Sequence, residues 1–139
     1  MQRAFLRTLF LVAAVAVAGC DNDVENQTPT EPPPTTIETF EGTIGINGAM
    51  THTFNVGVAG TVTATLAEVS PDPAIAVGFA LGTWNATSSV CQLVIPNDNA
   101  LQGQILTGSA SGAGTLCARV YDTGKLTAAI EYTISVEHP

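Results

Sequence analysis

Gly60-Thr61-Val62-Thr63-Ala64-Thr65-Leu66-Ala67-Glu68-Val69 is the stretch that decides the fold. Val62, Ala64 and Leu66 alternate with Thr61, Thr63 and Thr65, so an extended chain turns the apolar side chains to one face and the hydroxyls to the other. The end of the chain repeats the pattern, with Ile130, Tyr132, Ile134 and Val136 alternating with Glu131, Thr133, Ser135 and Glu137. Both segments read as half-buried strands. A threonine array is a known way to bind ice or sugar, but one strand does not make an array, and Thr61, Thr63 and Thr65 are expected to face solvent or a cross-strand partner.

Outward from these two strands, the sequence from about Phe40 to Pro139 is a series of short alternating runs, and none has apolar residues at helical spacing. The expected strands are 39–46, 51–58, 61–69, 74–81, 88–95, 101–108, 114–121 and 126–137. The breakers between them include Asn47-Gly48, Ser70-Pro71-Asp72-Pro73, Gly82 to Thr87, Pro96 to Asn99 and Asp122-Thr123-Gly124-Lys125. That spacing predicts an all-β domain over residues 43–139, a small antiparallel β-sandwich or jelly roll.

Residues 1–42 have a different composition. Arg3 and Arg7 precede a short apolar run that ends in Val17-Ala18-Gly19-Cys20. The twelve residues between Arg7 and Cys20 are too few for a spanning helix, which wants about 20. Basic start, apolar core and small residues describe a signal peptide over residues 1–19. Residues 20–42 hold six of the chain's twelve acids and the run Pro32-Pro33-Pro34, but little that builds a core, and so read as a disordered tether. Extended at roughly 3.1 Å per residue, about 20 such residues reach about 60 Å. O-glycosylation of Thr28, Thr30, Thr35, Thr36 and Thr39 is the alternative use of that stretch, although a polar spacer needs no such explanation.

Charge and cysteine usage narrow the function classes. Without residues 1–19, Arg119 and Lys125 stand against all twelve carboxylates, a balance that repels nucleic-acid phosphates and anionic lipid headgroups, so neither is an expected partner for the protein body. With Cys20 at the leader junction, Cys91 and Cys117 remain as an even pair. They are predicted to form a disulfide in an oxidising compartment, since no Cys-x-x-Cys or His-x-His spacing points to zinc.

Candidate sites for chemistry are few. Gly108-Ser109-Ala110-Ser111-Gly112 has alanine where a nucleophile elbow carries serine, so no catalytic residue is assigned. His52 shares a strand face with Phe54 and Val56 and reads as a half-buried packing histidine, while His138, beside the C-terminus, is expected in solvent. Asp72, Asp98 and Asp122 fall in three expected turns and are weak calcium candidates, turn aspartates being common for local hydrogen bonding. Trp84 is either a stacking platform for a sugar or partner protein, or a plug at the end of the core.

Two resemblances carry implications about function. Val17-Ala18-Gly19-Cys20 resembles the lipobox of bacterial lipoproteins, which implies that Cys20 is diacylglyceryl-modified and becomes the first residue of a protein anchored in the bacterial cell envelope, facing periplasm or exterior. Phe40-Glu41-Gly42-Thr43-Ile44, Thr51-His52-Thr53-Phe54-Asn55-Val56, Gly60 to Leu66, Gly114 to Asp122 and Tyr132-Thr133-Ile134-Ser135-Val136 together resemble the bacterial pre-peptidase C-terminal domain. That family is a β-sandwich appended to exported proteins, here without a peptidase before it and with a cysteine pair added. The resemblance implies a non-catalytic accessory module whose partner is an envelope protein or polysaccharide. A carbohydrate- or calcium-dependent binding module is the alternative, and a hydrolase comes third.

Overall fold

In the computed structural model, which describes residues 31–139, the alternating runs become eight strands. They are β1 (Thr36–Ile44), β2 (Ala49–Val56), β3 (Gly60–Ser70), β4 (Val77–Asn85), β5 (Val90–Ala100), β6 (Ile105–Ala110), β7 (Gly114–Tyr121) and β8 (Ile130–His138). The leader 1–19, Cys20 and the tether as far as Thr30 lie outside the described residues.

The pairing is nested: β1 with β8, β2 with β7, β3 with β6 and β4 with β5, all antiparallel. The domain is thus one long two-stranded hairpin, folded over where β4 turns into β5. The Asn85 side-chain oxygen caps that turn by accepting from the backbone N–H groups of Thr87 and Ser88 at 3.0 and 3.1 Å. Winding the hairpin brings β3 beside β8 and β4 beside β7, which closes sheet A in the order β1-β8-β3-β6 and sheet B in the order β2-β7-β4-β5. This is the jelly-roll arrangement of two packed sheets.

Alternation decides what goes between the sheets. Val62, Ala64, Leu66, Tyr132, Ile134 and Val136 of sheet A are at most 2 % exposed and pack against Phe54, Phe79, Leu81, Ala118 and Val120 of sheet B. Truncating a fully buried ring such as Phe79 to alanine costs about 3–5 kcal/mol. An extra residue at Ala67 interrupts the register of β3 against β8 between Leu66 and Glu68. Glu68 therefore joins the outward row and Val69 returns to the core.

Several strand ends fall elsewhere than the sequence predicts, each for a local reason. β1 starts at Thr36, inside the segment assigned to the tether, so the boundary at 42/43 moves back to about residue 36. Phe40 stacks on His52 and Glu38 reaches His138, contacts that give this acidic segment partners. Thr36 and Thr39 accordingly belong to a strand. β4 starts late because Asp72 holds residues 72–75 in a turn through Ala74 N–H on its side chain and Ile75 N–H on its carbonyl. β5 runs through Pro96 to Ala100 as an edge strand with two bulges against β4, a position where proline's missing N–H costs nothing. Leu101–Gln104 is a turn with Gly103 at φ 87°, so β6 begins only at Ile105. Leu126 is buried but donates its N–H to Asp122, which delays β8 to Ile130.

Candidate functional site

The outward face of sheet B gathers the chain's sparse special side chains. Along β4, Val77, Phe79 and Leu81 point into the core, which leaves Gly78, Ala80, Gly82 and Trp84 on the outer surface. β7 lays its outward residues beside them, Tyr121 opposite Gly78, Arg119 opposite Ala80 and Cys117 opposite Gly82. On the other side β5 sets Pro96 against Ala80, Leu93 against Gly82 and Cys91 against Trp84.

Cys91 and Cys117 are bonded, with Cα atoms 5.9 Å apart. Their strands are not neighbours: β5 and β7 flank β4, so the bridge steps over the central strand at Gly82. Glycine is required there, because a Cβ on Gly82 would lie far inside contact distance of the Gln92 carbonyl oxygen. Gly78 makes a comparable opening near the start of β4. A Cβ there would meet three ring atoms of Tyr121, so the phenol lies flat on the bare backbone and its hydroxyl donates to Asp98 on β5. Burial, and then the hydrogen bond to the Asp98 carboxylate, push Tyr121 up to about 12, with Arg119 partly opposing. Lys125 donates to the neighbouring Asn99 amide oxygen at 2.7 Å. Trp84 is half-buried and outside the core cluster, so it does not plug the core.

The three candidate aspartates do not converge, and Asp98 lies within β5 where a turn was expected. Asp72 caps its own turn, Asp98 accepts from Tyr121, and Asp122 is the hub of the loop before β8. Its carboxylate accepts backbone N–H groups from Asn47, Gly124, Lys125 and Leu126, at 2.8 to 3.1 Å. Those bonds, Asn47's first, hold its carboxyl below the usual range. Among the described residues no three His, Cys, Asp or Glu side chains are placed to hold a metal ion.

Both histidines serve the packing between sheets. His52 stacks on Phe40 with centroids 5.1 Å apart, and its Nε2 lies 2.7 Å from the hydroxyl of buried Tyr132. Gly42 makes room for that hydroxyl, since a Cβ there would collide with it. Burial lowers His52 below its usual value and pushes Tyr132 up to about 12. Burial thus favours the neutral imidazole, whose Nε2 shares one hydrogen bond with the Tyr132 hydroxyl. His138 corrects the expectation of solvation: it is 3 % exposed, stacks on Phe54 at 5.3 Å and meets the Glu38 carboxylate at 2.9 Å. Proximity to the chain end misleads here, because β8 continues through His138 opposite Thr36.

The outward face of sheet A changes the reading of the threonines. Pairing sets Thr39, Ser135, Thr65 and Ile105 in one row and Glu137, Thr63 and Thr107 in the next, with Thr61 opposite Ser109. Strands far apart in sequence thus assemble a hydroxyl surface that no single strand carries. Near the β3 bulge a depression of about 440 Å³ is lined by Glu41, Thr43, Glu68, Ser70, Glu131 and Thr133. A second, of about 280 Å³, opens between the β5 and β6 edges over Val62, Leu81, Ile95 and Leu116.

No protein-family model matches the chain, and no curated protein matches it.

Proposed function

We propose that the chain is a bacterial envelope lipoprotein, anchored through Cys20, that presents its jelly roll as a non-catalytic accessory or interaction module. The observation that supports this best is the use made of the histidines. The two side chains most suited to general base chemistry near neutral pH are spent on packing, His52 between Phe40 and Tyr132 and His138 between Phe54 and Glu38. The likeness to pre-peptidase C-terminal domains agrees with an accessory role, since it rests on strands and glycine turns and not on polar chemistry. Anchoring agrees with the placement of the ends. Thr36 pairs with His138, so the tether leaves one end of the sandwich and the 45–48, 71–76 and 122–129 loops lie at the other. Two or three acyl chains, at about 0.8 kcal/mol per buried methylene, hold such a protein to the membrane permanently.

The test of the anchor is intact-mass analysis of the chain extracted from membranes. It should begin at Cys20 and carry acyl mass, and Cys20→Ser should leave unprocessed precursor. Cleavage elsewhere without acyl mass overturns the assignment. Hydrolysis of a peptide or glycan library that disappears in His52→Ala would replace the module with an enzyme.

A second reading, carbohydrate binding, is favoured by Trp84 lying on the same outward sheet face as the half-buried ring of Tyr121.

A further inference from the structure

We propose that the outward face of sheet B is a platform for an anionic polysaccharide, its carboxylates taken by Arg119 and Lys125 and its sugar rings by Tyr121 and Trp84. The inference deepens the reading as a binding module and is independent of the lipid anchor.

Three observations carry it. The first is the segregation of charge. Arg119 and Lys125 are the only arginine and lysine in residues 31–139, and both belong to one side of the sandwich, on β7 and in the loop that follows it. The outward face of sheet A instead carries Glu41, Glu68, Glu131 and Glu137 without a lysine or arginine. An anionic polymer is repelled by one sheet and meets positive charge only on the other.

The second is that these cations are uncommitted. Among the described residues neither Arg119 nor Lys125 has a carboxylate within ion-pair distance. Lys125 rests on a neutral amide. The acids beside them are engaged as hydrogen-bond acceptors, Asp98 of the Tyr121 hydroxyl and Asp122 of four backbone N–H groups. An arginine guanidinium is a planar fork suited to a carboxylate.

The third is the shape of the face. Ala80 on β4 and Ala49, Thr51 and Thr53 on β2 keep the side chains beside β7 short, while the Tyr121 ring covers Gly78 and the Gln92 backbone covers Gly82. Tyr121 lies face-down on Gly78, which turns its other ring face outward, and Trp84 stands six residues further along β4. At about 3.3 Å per residue the two aromatics are separated by roughly 20 Å, a span that suits a chain of sugars laid along the strand, with Arg119 between them. The disulfide stiffens this surface by tying β5 to β7 across β4.

Trp84 is the single tryptophan, so its fluorescence reports directly on this face. The full mature chain is titrated with polygalacturonate and, in parallel, with neutral dextran. Polygalacturonate should shift the emission, with a midpoint that rises as salt is added. Arg119→Ala should weaken binding at least tenfold, Arg119→Lys less, and Lys125→Ala a few-fold, while Glu131→Gln on sheet A leaves the midpoint unchanged. In affinity electrophoresis Trp84→Ala should lose the retardation that the wild type shows. Circular dichroism confirms that each variant is folded; should Arg119→Ala fail to fold, the Arg119→Lys and Lys125→Ala comparison still decides.

Absence of any response to polygalacturonate overturns the proposal. An equal response to dextran, unaffected by Arg119→Ala, overturns the role of charge, and loss of binding in Glu131→Gln alone moves the ligand to sheet A. In each case lipid mass on Cys20 and capture of a protein partner remain as separate tests of the module reading, whereas hydrolysis of the polymer would overturn that reading itself.

Discussion

Removing the Cys91–Cys117 bridge by the double substitution Cys91→Ala, Cys117→Ala should destabilise the domain by about 3.5 kcal/mol. The magnitude follows from the sequence separation of 26, which sets the loop entropy that the crosslink denies to the unfolded chain. A smaller term comes from packing, since the two cysteines are 5 % and 0 % exposed and alanine does not replace their sulfurs. The fold itself should survive, because the bridge lies on the outward face of sheet B and the core between the sheets is untouched. For a domain near 100 residues, each kcal/mol moves the melting temperature by roughly 4–8 °C, so the midpoint should fall by about 15–25 °C. Urea titration of the variant and of reduced wild type should give the same loss. Hydrogen exchange should quicken first in β5, the edge strand that the bridge ties to β7. A loss under about 1 kcal/mol, or two free thiols in protein isolated from the envelope, would refute the reasoning.

Gly82→Ala should cost at least about 1–3 kcal/mol, because the added methyl meets the backbone carbonyl of Gln92 and not a side chain able to swing away; an unchanged urea midpoint would show that β5 is free to shift. Stability should fall as pH drops below about 6.5, since the unfolded chain then protonates a histidine that buried His52 resists, and His52→Gln should flatten some of that limb. An imidazole titrating at or above 6.5 by NMR would contradict this. At the alkaline end Tyr132, pushed up to about 12, keeps its proton while an unfolded tyrosine loses one from about pH 10, so stability should decline between those values, and less steeply in Tyr132→Phe.

The strands were legible because burial on one face imposes a period of two on the sequence, and β7 spans Gly114–Tyr121 as the alternation predicts. The cysteine pairing was legible too, from the even pair that remains when Cys20 is read as a lipobox cysteine, although not the fact that the bridge steps over a strand. Boundaries were less so. Asp72 and Asp122 hold neighbouring apolar residues in turns through backbone hydrogen bonds, and Glu38 and Phe40 become strand only because His138 and His52 await them.

By itself the sequence determined the all-β class, the inward and outward residues of β8 and of β3 as far as Leu66, and a cysteine pair fit for a bridge, because these depend on local alternation and composition. Which strands lie side by side depends on contacts between residues up to 102 positions apart, Thr36 and His138, and only the tertiary structure decided it. That pairing assembled the hydroxyl face of sheet A from β1, β8, β3 and β6, buried His138 against Phe54, and set Arg119 opposite Ala80, between Tyr121 and Trp84. A binding face in an antiparallel sandwich is built across strands, perpendicular to the chain, and so has no contiguous signature along it.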